Sequence, residues 1–105
     1  MITFQGMNYE VVKDYRKAFQ MDSFVARYSD ILAKYDYIVG DIGYGKLRLA
    51  GFYRLGKKKI EPDKRVDAIE EYLNEYCNFG CAYFILRKMT KAELKENTEV
   101  IEEDA

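Results

Sequence analysis

At 105 residues the chain has room for one domain with one core, and its 49% hydrophobic and 33% charged residues are globular rather than disordered in composition. The absence of histidine excludes histidine-based triads, histidine general bases and histidine metal ligands, and Cys77 and Cys81 are the only cysteines. The net charge of −1 joins a mildly basic body, 15 basic and 12 acidic residues through Met89, to a segment from Thr90 to Ala105 with two lysines and six acidic residues; so small a positive excess does not by itself imply nucleic acid.

Ten tyrosines and six phenylalanines without a tryptophan predict an aromatic-rich core with hydroxyls kept near its rim. The stretch after Met1, "ITFQGMNYE", lacks the basic region, apolar stretch and cleavage site of a secretory signal. No apolar run approaches the ~20 residues that cross a bilayer. The expectation is a cytoplasmic protein with reduced thiols, no membrane partner and no cofactor.

In chain order, "ITFQ" and "YEVVK" flank Gly6 and Asn8, so residues 2–13 predict a β-hairpin. "DYRKAFQM" reads as an irregular link. Asp22 or Ser23 can cap a helix reaching about Lys34, with Phe24, Val25, Tyr28, Ile31, Leu32 and Tyr35 as its buried stripe. Asp30 and Lys34 form an acid-first i,i+4 pair on the polar face. "DYIVGDI" and "KLRLAGFYR" predict two strands joined through "GYG", with Gly45 left-handed. On the second strand Leu47, Leu49 and Tyr53 share one face, and Lys46, Arg48, Phe52 and Arg54 the other.

The charged stretch around Pro62 suggests a short edge strand at 58–61. Asp67 and Glu70 have the spacing of a capping box for a second helix, whose stripe runs through Val66, Ile69, Leu73, Tyr76 and Cys77 and ends at Asn78 to Gly80. "CAYFILRKM" is a near-continuous apolar strand suited to the middle of a sheet covered on both faces. Residues 1–89 thus predict one α+β domain, a mainly antiparallel sheet with two helices in the order β-β-α-β-β-(β)-α-β. Without its first strand the order is β-α-β-β-α-β, so a ferredoxin-like fold is the alternative. Residues 90–105 are expected to be an acidic, disordered tail.

"YDYIVGDIGYGKLRLAGF" (35–52) and "YLNEYCNFGCAYFILRK" (72–88), with "ARYSDILAKYDY" upstream, resemble the YutD-like family of Firmicutes, known chiefly as a domain of unknown function. The resemblance covers residues 1–89. It implies a cytosolic α+β domain from a Gram-positive bacterium, and it carries no catalytic residues onto this chain.

Two cysteines without histidine fall short of the four ligands a zinc site needs, so no metal site is expected. A disulfide is geometrically open to them but disfavoured in a reducing compartment, and their phase with apolar neighbours favours core packing. "GDIGYGK" is neither a P-loop nor a dinucleotide fingerprint, and it matches an RNA-recognition strand motif only in part, since Lys46 and Leu49 stand where stacking aromatics are needed. Asp41 is a conceivable catalytic carboxylate without an evident partner.

The basic and aromatic residues of the second strand give the candidate binding set: Asp41, Tyr44, Lys46, Arg48, Phe52 and Arg54, with Arg87 joining them if the strands at 46–54 and 81–89 are neighbours. The function expected is a non-enzymatic protein-interaction or regulatory module. RNA or ribosome association through the same face is the alternative, and a small enzyme without histidine chemistry the third reading.

Overall fold

The computed structural model describes residues 2–4, 6–43, 45–56, 58–76 and 81–90. Five strands, β1 (Ile2–Phe4), β2 (Met7–Tyr15), β3 (Tyr37–Gly43), β4 (Lys46–Phe52) and β5 (Tyr83–Lys88), form one sheet in the order β1-β2-β5-β3-β4. Every neighbouring pair is antiparallel. The last strand in sequence is therefore central, as its apolar run predicts.

Helix α1 (Met21–Arg27) and a 3₁₀ segment (Asp30–Lys34) lie on one face, and α2 (Ile69–Tyr76) on the other. The strand alternation divides the core accordingly. Ile38 packs with Tyr9, Phe24, Leu32, Phe84 and Leu86, whereas its neighbour Val39 packs with Phe52 and Ile69. Helices on opposite faces of the sheet set this α+β fold apart from the ferredoxin-like alternative, which packs both of its helices on one face of an antiparallel sheet.

The first hairpin forms as predicted, with Gly6 at φ 77°. β2 runs further than the pattern suggested, through Tyr15, because a bulge between Val11 and Lys13 restores its pairing with β5. Val12, the extra residue, is left exposed. The register pairs Gly43 with Lys46, so the β3–β4 connection has two residues rather than three, with Gly45 at φ 75°.

The long helix predicted from Asp22 to Lys34 is instead two pieces. Tyr28 is extended, and Ser29 caps the following 3₁₀ turn by accepting the Ile31 N–H at 3.5 Å. Serine competes for backbone hydrogen bonds and favours such a cap over a helix interior. The break carries Leu32 into the core and leaves Val25 and Ile31 outside. It also ends the Asp30–Lys34 alignment, since a 3₁₀ turn repeats every three residues.

No strand forms at 58–61. Lys59 takes φ 61°, Pro62–Lys64 is a 3₁₀ turn, and the chain returns to the sheet only through a parallel bridge between Tyr53 and Arg65. Asp67 lies inside a short 3₁₀ turn (Val66–Ala68) preceding α2 rather than capping it. The predicted helix end at Asn78 to Gly80 and the tail beyond Thr90 lie outside the described residues.

Candidate functional site

The β3–β4 hairpin carries most of the predicted site. Antiparallel register sets Asp41 directly opposite Arg48, on the sheet face covered by α2. Arg48 donates to Asp41 Oδ2 through Nε at 3.1 Å and also through Nη2. The Tyr72 hydroxyl of α2 donates to Oδ1 at 3.0 Å. Asp41 is fully buried, and both its oxygens are engaged. A buried charge is tolerated only when paired and hydrogen-bonded. This triad of side chains ties β3, β4 and α2 together.

Phe52 lies on the same face but is buried, edge-on to Tyr72 at 5.5 Å, so it offers no open ring. Beside it a cleft of about 280 Å³ is lined by Ala50, Phe52, Lys64 and Tyr72 and by the carboxylates Asp63, Glu71 and Glu75. The surface next to Phe52 is therefore acidic as well as basic. Among the described residues no group of three or more metal-ligating side chains stands together.

The basic residues do not merge into one patch. β3 lies between β4 and β5, so the condition for Arg87 to join the β4 cations is not met. Arg87 instead pairs with Glu10 at 3.5 Å. Arg48 is neutralised by Asp41. Lys46 is exposed at the turn end of β4, and Arg54 is exposed beyond the other end, where its backbone N–H is held by Asp36 at 3.0 Å. At ~3.3 Å per residue, those two cations stand about 26 Å apart along the chain. Tyr44 lies outside the described residues.

The hairpin does present a free edge. A two-residue connection makes Gly43 and Lys46 a hydrogen-bonded pair. The ladder then alternates, so the N–H and C=O groups of Leu47, Leu49 and Gly51 point away from β3. Ile42, opposite Leu47, donates the other way, to Ala82 at 3.0 Å, as this phase requires. Among the described residues these outward groups have no partner; Leu47 and Leu49 are partly exposed, whereas Gly51 is buried with the Tyr35 ring against it.

A second cluster escaped the sequence reading. Tyr15 on β2 and Tyr83 on β5 are register partners with rings stacked at 5.3 Å. Lys13 reaches over the Tyr83 ring at 5.8 Å and Arg16 over the Tyr15 ring at 5.4 Å. With Glu70, Leu73 and Asn74 of α2, and Cys81, three of these residues (Lys13, Tyr15 and Tyr83) line a cleft of about 340 Å³. Treating 14–21 as a link hid it, yet Lys13 and Tyr15 continue the alternation of β2. Cys81 is disulfide-bonded, which corrects the expectation of a free packing thiol. Cys77 itself lies outside the described residues.

Burial pushes the Tyr9 hydroxyl above the ordinary tyrosine range, aided by its hydrogen bond with Tyr28 at 3.3 Å. This group sits in the core beneath α1, away from both clefts.

The family model described as "Putative antitoxin YutD-like" matches residues 3–87. A Bacillus subtilis (strain 168) protein described as "Putative antitoxin YutD" is 50% identical over 91 residues, covering 87% of this chain and all of that protein. The solution NMR structure of protein yutD from B. subtilis matches with a TM-score of 0.73 at 49% identity, over 87% of this chain and 83% of the other. Among the described residues no helix is long and apolar enough to cross a membrane.

Proposed function

The chain belongs to the YutD-like family, and we propose that it is a regulatory protein-binding module that takes up an extended segment of a partner protein along the edge of β4. The observation that carries this reading is the pair of outward-facing backbone positions at Leu47 and Leu49. Proteins usually blunt such an edge with proline, a bulge or a covering element, because it templates pairing with another chain. Here it is seven residues long, without proline, and braced by the Asp41–Arg48–Tyr72 network. Strand addition draws affinity from main-chain hydrogen bonds and specificity from alternate side chains. Lys46 on one face, with Leu47 and Leu49 on the other, suits a partner strand that sets an acidic residue beside apolar ones. The description of the B. subtilis relative as a "Putative antitoxin" supports a protein partner, since opposing a toxin by contact requires a docking surface.

The test is capture of a partner from the native cell after nuclease treatment, followed by amide exchange on the purified complex. The amides of Leu47 and Leu49 are expected to exchange fast in the free protein and to become protected in the complex. Leu49→Pro removes an outward donor and also a side chain packed against the first core, so it is compared with Leu49→Ala, which keeps the donor: the proline variant alone is expected to lose capture, with both variants folded by circular dichroism. Capture undiminished by Leu49→Pro, or lost entirely on nuclease treatment, overturns the reading.

A further inference from the structure

The cleft between α2 and the β2–β5 ladder lies on the same sheet face as the Asp41 network but shares no residue with it. Its floor is the Tyr15–Tyr83 pair. Lys13 stands at one side, and Arg16 extends the cationic rim. The opposite wall is α2, where Glu70 and Asn74, four residues apart, project from one helix face with Leu73 beside them. Tyr15 and Lys13 are exposed and Tyr83 is half-buried, so a base reaches the ring faces by displacing the Lys13 and Arg16 side chains that lie over them.

We propose that this cleft binds one nucleotide unit, its base on the tyrosine pair and its phosphate at Lys13 and Arg16. Each part of the lining matches one part of that ligand. Tyrosine rings stack on bases of any sequence, and lysine and arginine supply the phosphate contacts. Asn74 offers a donor and an acceptor to a base edge, and Glu70 an acceptor to an exocyclic amine or a sugar hydroxyl. A volume of about 340 Å³ is at the small end of small-molecule sites and suits one nucleotide rather than a folded partner. An acidic peptide fits less well, because Glu70 in the wall repels it and the ring faces give it nothing to stack on. An apolar peptide would bury Lys13 and Glu70 without partners.

The backbone supports the rim. Arg16 and Lys17 are consecutive non-glycine residues at φ 61° and 55°. They turn the chain sharply out of β2, where Asp14 Oδ1 accepts the Phe19 N–H at 3.0 Å and Ala18 is buried. That turn fixes Arg16 beside Tyr15.

The experiment titrates the isotope-labelled chain with adenosine and uridine 5′-monophosphates and with eight-residue oligoadenylate and oligouridylate. Amide shifts are expected at 13–17, 70–74 and 83. Tyr15→Ala and Lys13→Glu, both at exposed positions, are each expected to weaken binding about tenfold. An oligonucleotide binding more tightly than the monophosphate, with strong salt dependence, assigns a single strand as the source. Equal affinity assigns a free nucleotide. Absence of shifts at millimolar ligand overturns the proposal, as do shifts confined to 46–65. Equal binding of an oligoglutamate of the same charge, or unchanged affinity in both variants, does so too. Leu49→Pro is expected to leave nucleotide binding intact, so this proposal and the β4-edge reading fail separately.

Discussion

Asp41 and Arg48 face each other across the β3–β4 ladder, with the carboxylate fully buried and the guanidinium half in water. Their contributions to stability are therefore unequal. Arg48→Met leaves a buried carboxylate with only the Tyr72 hydroxyl and is expected to cost about 1–3 kcal/mol, at the lower end of buried-pair losses because solvent already screens Arg48. Asp41→Asn leaves a cation that water can solvate and is expected to cost less. The double variant Asp41→Leu/Arg48→Met should recover part of the Arg48→Met loss. Urea unfolding of the three variants decides it, and equal losses in the two single variants would show that the pair is solvated from both sides.

Gly40 lies directly beneath the Phe84 ring, and a Cβ there would come within 2.2 Å of the ring carbon Cζ. Phe84 is fully buried against Phe19 and Phe24, so it has nowhere to retreat. Gly40→Ala is expected to cost more than about 2 kcal/mol, by overpacking. Adding Phe84→Leu, destabilising on its own by cavity formation, should be less damaging in the Gly40→Ala background than in the wild type. Purely additive losses would place the damage in the strand backbone instead.

The central strand and both hairpins were legible because their signals are local: apolar runs, alternation and a left-handed glycine. "CAYFILRKM" reads as a strand from the middle of a covered sheet, and Tyr83–Lys88 is that central strand. Helix content was overread at Tyr28–Ser29 because a helical apolar period survives a one-turn interruption. Strand order was not legible, and with it went the basic patch. Lys46, Arg48 and Arg54 are close in sequence and Arg87 joins them only if its strand lies next to theirs, but β3 intervenes and Asp41 and Glu10 each take one of the four. The Tyr15–Tyr83 cleft joins residues 68 positions apart, a relation that only strand pairing creates.

The Tyr9 hydroxyl is pushed above its ordinary range chiefly by burial. A raised folded-state pKa favours the neutral form, so the stability it contributes is complete below the unfolded value of about 10 and is lost as pH rises beyond it. The slope is at most about 1.4 kcal/mol per pH unit. Tyr9→Phe gives up the bond to Tyr28 and should cost about 0.5–1.5 kcal/mol at neutral pH. Its alkaline stability should fall less steeply than that of the wild type. Parallel unfolding curves between pH 9 and about pH 11 would place the alkaline transition elsewhere.

Lys17 is exposed and left-handed, directly after Arg16 in the same conformation. At an ordinary extended surface position glycine is worse than valine, since it loses more chain entropy on folding and fits a strand poorly. At φ 55° the order should reverse. Lys17→Gly relieves roughly 1 kcal/mol of left-handed strain and gives back about as much in unfolded-state entropy, so it should lie within about 0.5 kcal/mol of the wild type. Lys17→Val places a β-branched side chain where it is least tolerated and should lose about 1–3 kcal/mol. Thermal unfolding of the two variants settles the order. If valine proves the better residue, position 17 is extended in solution, and the turn that sets Arg16 beside Tyr15 is not held by the backbone.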